Sequence, residues 1–181
     1  MTANTAALGQ VIDTRTLRME RTLDAPIDKV WNFLVDPAKR ARWLAGGTRL
    51  AQPGDSVDLR FDNEALTGEK APPQFQQHGG VHVMKSRVLK MQAPRLLVIS
   101  WEEGSPDASE VSFELSARGQ QTHLTLVHSK LPRRGYMLNV AGGWHTHLDV
   151  LEDVLAERTP RPFWTNFSER QAAYDRIIPA A

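Results

Sequence analysis

Residues 142–155 have the sequence GGWHTHLDVLEDVL, the most regular helical pattern of the chain. An α-helix turns about 100° per residue, so this spacing predicts an amphipathic helix that follows the Gly142-Gly143 pair. Asp149, Asp153 and Glu157 fall away from its apolar face. That face carries Trp144, Leu148, Leu151 and Leu155, with Val140, His147 and Val154 along its edge. A helix with such a stripe needs a sheet to cover it.

The preceding chain supplies that sheet. Alternating apolar and polar residues predict about six strands, over residues 15–22, 56–62, 81–91, 95–102, 110–118 and 121–131. The last two strands meet at Gly119-Gln120 and form a hairpin, which makes them antiparallel. Val111, Phe113 and Leu115 then face the same side as three residues of the next strand: Leu124, Leu126 and His128.

Two short helices follow the first strand. Pro26 suits the first turn of a helix over residues 26–35, and Asp24 can cap it. Asp36-Pro37 ends this helix and starts a second one over residues 37–44, which runs out at Gly46-Gly47. The order of elements predicts an α+β fold, in which a curved antiparallel sheet surrounds a long C-terminal helix. Space between sheet and helix is a place for a small molecule.

Composition excludes several classes of function. The chain has 181 residues, 22 Lys and Arg against 21 Asp and Glu, and no Cys. A balanced charge argues against a nucleic-acid partner, and missing Cys removes disulfides, thiolate nucleophiles and Cys-based zinc sites. No stretch is long and apolar enough to span a membrane, and the first eleven residues lack the pattern of a secretory signal. We therefore expect a soluble, cytoplasmic protein.

Several motifs resemble a known superfamily. LDAPIDKVW at 23–31, Asp36-Pro37 and RWL at 42–44 are similar to the opening of START-like, or SRPBCC, proteins. PRLL at 94–97, SEVSFEL at 109–115 and AGGWHTHLD at 141–149 are similar to the later elements of one family in it, the bacterial branch of the activator of heat-shock protein ninety ATPase homologues. The resemblance covers residues 10–165. It implies a helix-grip fold, a hydrophobic cavity between sheet and long helix, and a homodimer.

The function predicted from this combination is binding of a small apolar or amphipathic molecule, without an established catalytic activity and without a cofactor. Tryptophan and histidine side chains at inner positions of the elements are the candidates for the cavity wall, although each can instead pack in the core. The candidates are Trp31, Trp43, Trp101, His128, Trp144, His147 and Leu151.

Two alternatives stay open. A cyclase- or dehydratase-like enzyme would use His128 or His147 as acid and base on a bound substrate, and it requires both imidazoles to face one cavity. An interaction module of the co-chaperone type would instead show an exposed apolar patch. We predict no catalytic triad. We also predict no metal site, because His145 and His147 are two positions apart and lie on nearly opposite sides of a helix.

The ends of the chain are predicted as additions to one domain over residues 13–158. Residues 1–12 form an N-terminal arm, and residues 159–181 form a tail with a short amphipathic segment around Phe167, Tyr174 and Ile178. Phe163 and Trp164 should pack on the body or on a second subunit, because two large exposed rings would lower solubility. The polar residues 63–80 are predicted as a long loop, a type of segment that can act as a lid.

Overall fold

A computed structural model describes residues 7–180 of the chain. Within this range the fold is α+β, with one curved, unclosed antiparallel sheet and a long helix on its concave face, as predicted. The strands along the sheet follow the order β1-β2-β8-β7-β6-β5-β4-β3. Their bounds are β1 Gln10–Asp13, β2 Thr16–Leu23, β3 Gly46–Gly47, β4 Ser56–Asp62, β5 Val81–Gln92, β6 Leu96–Trp101, β7 Ser109–Arg118 and β8 Gln121–Ser129.

The sheet of the described residues has eight strands, and the prediction of about six was wrong in its count. The additional strands lie at the two edges of the sheet, and they are too short to show an alternation of apolar and polar residues. β1 falls within the predicted N-terminal arm, whose residues 1–6 lie outside the described part, and it pairs with β2. β3 is the Gly46-Gly47 pair, and a Cβ on Gly47 would lie 2.1 Å from the Asp58 carbonyl oxygen. Only glycine lets this segment approach β4.

The helices agree with the predicted order and differ at their ends. They are α1 Ile27–Val35, α2 Pro37–Arg40, α3 Asn63–Thr67, α4 Arg134–Leu155 and α5 Phe163–Ile177, with a 3-10 helix over Pro73–His78. Asp36 caps α2 by accepting hydrogen bonds from two backbone amides, whereas α1 has no side-chain cap, so the capping role predicted for Asp24 was wrong. Residues 63–80 hold α3 and the 3-10 helix and are therefore partly helical.

Helix α4 begins at Arg134, so Gly142 and Gly143 lie inside it rather than before it. Each internal glycine lowers helix stability by up to about 1 kcal/mol, and a tertiary contact explains the presence of Gly142. A Cβ on Gly142 would lie 3.3 Å from the side chain of Gln171 in α5, so the two helices approach closely there. A Cβ on Gly143 would meet no atom within 4 Å. This open space belongs to the cavity described below.

The main core lies between the sheet and α4. The predicted stripe of α4 is confirmed, since Trp144, Leu148, Leu151 and Leu155 are all buried. The inner residues of β7 and β8 are buried as well, and the alternation of these strands predicted them correctly. Within residues 7–180, no helix combines the length and hydropathy that crossing a membrane requires.

A buried arginine connects the two short helices to the edge of the sheet. Arg40 is 2% exposed, and its guanidinium donates hydrogen bonds to five backbone carbonyls, with the shortest contact of 2.7 Å to Thr48. Burial lowers the pKa of Arg40 to about 10. The side chain thereby closes the turn between α1, α2 and β3.

Candidate functional site

A cavity of about 200 Å³ lies between the first half of α4, the ends of β4 to β6 and the start of α5. Gly143 forms part of its wall, which is why a side chain there would meet open space. The 3-10 helix and the first residue of α3 complete the wall. This space lies on the side of the sheet that faces α4, and Phe163, Trp164 and Phe167 of α5 form part of its wall.

Aromatic rings form most of the wall. The indoles of Trp101 and Trp144 are 4.9 Å apart between centroids. Phe163 lies 5.0 Å from the imidazole of His147 on the same wall. The aromatic members are Phe61, Trp101, Tyr136, Trp144, Phe163, Trp164 and Phe167, together with the imidazoles of His78, His82 and His147. No Lys or Arg is among the described residues that line the cavity, so this wall offers an apolar surface with no positive side chain.

His147 presents one free polar atom. Its Nδ1 lies 2.7 Å from the carbonyl oxygen of Trp43, and because a carbonyl only accepts, Nδ1 carries the proton. Burial lowers the pKa of His147 to about 4, so the ring is neutral at pH 7. Nε2 is then an unprotonated acceptor without a partner among the described residues. His147 lines the cavity, and it can accept a hydrogen bond from a molecule there.

His128 is differently placed. Trp144 donates its indole N–H to Nδ1 of His128 at 3.0 Å, so Nε2 carries the proton and donates to the hydroxyl of Ser109 at 2.8 Å. Burial lowers the pKa of His128 to about 3. His128 does not line the cavity, because it lies behind Trp144 with both nitrogens engaged. The predicted arrangement, with His128 and His147 both facing one cavity, is therefore not formed, and His128 orients the Trp144 ring.

Three further candidates lie outside the cavity wall. Trp43 is fully buried in the core, and its indole N–H donates to the Phe33 carbonyl at 2.8 Å. Leu151 is fully buried farther along α4, and Trp31 is 9% exposed on α1. Their side chains are used in packing the core. Trp101, Trp144 and His147 are the candidates that the structure brings together around the cavity.

Residues missed by the sequence analysis complete the site. Tyr136 lines the cavity; burial, and then the nearby Glu102 carboxylate, raise the pKa of its phenol well above the usual value. Glu102 has a φ of 53°, a left-handed conformation that is uncommon outside glycine. His82 is exposed and lines the cavity, and it stacks on Phe61 with ring centroids 4.9 Å apart. These groups lie in the first turn of α4, just after β6 and at the start of β5, where no period marks them.

The start of α5 forms one wall and is held by residues of the α3 region. Glu69 accepts hydrogen bonds from the backbone amides of Trp164 and Thr165, at 2.6 and 3.1 Å, and Thr67 accepts one from Phe163 at 3.1 Å. These contacts satisfy amides that a helix start leaves free. Phe163 and Trp164 are 1% and 2% exposed, so they are buried against the body of the same chain.

A buried ionic cluster holds α5 against α4. Asp149 is fully buried and lies within 4 Å of three arginines, at 3.5 to 3.7 Å, and its Oδ2, which faces two of them, also accepts a hydrogen bond from Asn166. The arginines are Arg21, Arg161 and Arg170. Arg21 reaches the cluster from the inner face of β2. It shares that face with the buried side chains of Leu17 and Met19.

Comparisons with known proteins agree with this architecture. A protein of Bordetella parapertussis, solved by NMR, is 42% identical; the match covers 97% of this chain and 95% of that one, with a TM-score of 0.79. CalU16 from Micromonospora echinospora is 25% identical, with 96% of each chain covered and a TM-score of 0.69. DynU16, a protein of the dynemicin biosynthetic locus, is 19% identical and shares the fold, with a TM-score of 0.64 over 82% of this chain and 50% of that one.

No curated protein matches the chain significantly. The model of one protein family matches residues 24–156, which is most of the chain and includes strands β3 to β8 and all of α4. This match agrees with the resemblance of the opening and closing motifs. The chain belongs to the family of Activator of Hsp90 ATPase homolog 1-like proteins.

Proposed function

We propose that this protein binds a small apolar or amphipathic molecule, of the size of one aromatic ring and without negative charge, in the cavity between the sheet, α4 and α5. The observation that carries the proposal is an aromatic wall around about 200 Å³ of space. Ligand cavities are typically apolar with a few polar groups that orient the ligand. His147 and Asn63 are such polar groups on this wall.

The volume supports a small ligand. Sites for drug-sized molecules measure roughly 300–1,000 Å³, whereas an apolar cavity of roughly 150 Å³ holds benzene. A space of about 200 Å³ is suited to a single ring with one or two substituents. The rings of Trp101 and Trp144 offer faces and edges against which such a molecule can pack.

The charges of the wall disfavour an anion. Glu102 supplies the carboxylate of the wall. Burial lowers the pKa of the three histidines on the wall, so they carry no full positive charge at pH 7. These histidines are His78, His82 and His147. A buried anion without a positive partner is strongly destabilised.

Filling the cavity from α4 tests the proposal. Gly143→Leu places a side chain in the open space, and Gly135→Leu is the matched control, because Gly135 also lies on α4, also has open space around its Cβ and does not line the cavity. Both changes raise helix propensity. We expect toluene to shift the amide signals of cavity residues in the unchanged protein and in Gly135→Leu. In Gly143→Leu its affinity should fall at least about tenfold.

Equal affinity of toluene for Gly143→Leu and Gly135→Leu would show that toluene binds outside this cavity. If toluene shifts no amide signals of the unchanged protein or of either variant, up to its solubility limit, the proposal is overturned. A homodimer, which rests on the family resemblance, and a cytoplasmic location, which rests on the hydropathy pattern of the sequence, also stay predictions. Sedimentation equilibrium tests the first, and a mass of one chain at high protein concentration would contradict it.

A further inference from the structure

Buried polar groups in folded proteins nearly always have hydrogen-bond partners, and an exception calls for an explanation. Among the described residues, two such exceptions lie on the cavity wall: the indole N–H of Trp164 and the side-chain oxygen of Asn63. Trp164 is 2% exposed, so water does not satisfy its N–H from outside. Nε2 of His147 is a third atom without a partner on the same wall.

These three atoms differ in their chemistry. The indole N–H of Trp164 only donates, whereas Nε2 of His147, with the proton held on Nδ1 by the Trp43 carbonyl, only accepts. The Asn63 oxygen accepts as well. The rings that carry the donor and the first acceptor both pack on Phe163, whose ring centroid is 5.0 Å from each of them. The donor and the acceptor therefore belong to neighbouring rings of one aromatic cluster on the wall.

We propose that the ligand is a hydroxylated single-ring aromatic molecule, whose hydroxyl groups donate to His147 or Asn63 and accept from Trp164. A hydroxyl both donates and accepts, whereas a ketone or ether only accepts and an ammonium only donates. A purely apolar ligand would leave all three atoms unpaired. This inference rests on the proposed function, and it specifies the ligand class of the same cavity.

Phenol and toluene have nearly the same shape and differ in the hydroxyl, so their affinities isolate its effect. In an apolar cavity toluene binds better, because phenol loses its hydrogen bonds to water. Here we expect phenol to bind at least as tightly as toluene, and benzoate not to bind. Titrations followed by amide shifts measure all three.

Trp164→Phe removes the N–H and keeps an aromatic ring. It should lower the affinity for phenol by about 3- to 10-fold, the size of one hydrogen bond, and change that for toluene by less than about twofold. Asn63→Leu, a change of similar shape at the start of α3, should act in the same way. Trp31→Phe is the matched control and should alter neither affinity, because Trp31 does not line the cavity.

The outcomes separate this inference from the proposed function. Toluene binding at the cavity with clearly weaker phenol binding would overturn the inference and leave the proposed function in place. Equal losses of affinity for phenol and for toluene in Trp164→Phe would also overturn the inference, since the ring and not the N–H would then determine binding. Failure of both probes to bind would overturn both.

Discussion

The carboxylate of Glu69 lies 2.6 Å from the backbone nitrogen of Trp164, although 95 residues separate them in the chain. The same carboxylate also accepts hydrogen bonds from the amide and the hydroxyl of Thr165. Pro162, which precedes α5, provides no side-chain cap. Glu69 therefore caps α5 from a distant segment, and its negative charge interacts favourably with the helix start. This contact joins two walls of the cavity.

Glu69→Ala should free the start of α5. We expect a loss of about 0.5–2 kcal/mol in the free energy of unfolding, the usual contribution of a cap. The amides of Trp164 and Thr165 should exchange faster with deuterium, while those of β7 keep their protection. Glu169→Ala, at an exposed position of the same helix, is the control and should change stability by less than about 0.5 kcal/mol. Unchanged exchange at Trp164 would contradict the capping role.

Asp149→Asn should be strongly destabilising. The variant keeps the shape of the side chain but leaves the surrounding arginines without their shared buried carboxylate. Breaking a buried ion pair on one side typically costs about 3–5 kcal/mol. Urea denaturation measures the loss, which should persist in 1 M salt because buried pairs are screened little. A loss as small as that of Glu169→Gln would show that the cluster contributes nothing to docking α5.

Stability should fall in mild acid. Burial lowers the folded-state pKa of His128 and of His145 to about 3, and that of His147 to about 4, from an ordinary value of 6.5. Below pH 6.5 the unfolded chain binds protons that the folded protein does not, so the contribution of each neutral ring is present above pH 6.5 and is lost as the pH falls towards 3–4. Each ring can contribute a slope of up to about 1.4 kcal/mol per pH unit.

Urea denaturation at pH values from 8 to 5 tests this dependence. The contribution of these histidines should be level from pH 8 to 7 and decline below 6.5. In His128→Gln, unfolding near pH 5 should take up about one proton fewer, even if the variant is less stable at every pH. The same proton uptake in the variant as in the unchanged protein would show that His128 titrates normally in the folded state.

Arg40→Met should lower the free energy of unfolding by at least about 3 kcal/mol, because five buried carbonyls lose their donor. Arg40→Lys should recover only part of this, since an ammonium has three donors and no planar fork. Arg42→Met is the control: Arg42 is exposed and lies 5.4 Å from the Phe33 ring, a contact of about 1 kcal/mol or less. Equal effects at both positions would contradict a structural role for the buried guanidinium.

Local periodicity predicted the elements that bury one face. The stripe of α4 and the alternation of β7 and β8 follow directly from burial of one face, so their inner residues could be identified from the sequence. The order of the elements, with a long helix that must cover the sheet, supplied the curvature of the sheet, which periodicity alone does not contain.

Features that depend on contacts between distant segments could not be predicted in this way. The two glycines of α4 indicated a helix start, but Gly142 is there for a close approach of α5 and Gly143 borders open space. In the sequence, nothing distinguished His128 from His147 as a candidate for the cavity wall. Their hydrogen bonds, to Trp144 and to the Trp43 carbonyl, leave only His147 with a nitrogen free for a ligand.

The sequence by itself determined the order of strands and helices and the inner face of each, because a period of two or of 3.6 residues depends only on neighbours in the chain. The tertiary structure alone decided the size of the cavity and the identity of its polar atoms. Both depend on where α5 lies, and α5 is held by Glu69 and Asp149, residues with no local pattern that marks them. Burial of a polar atom is a property of the whole packed chain.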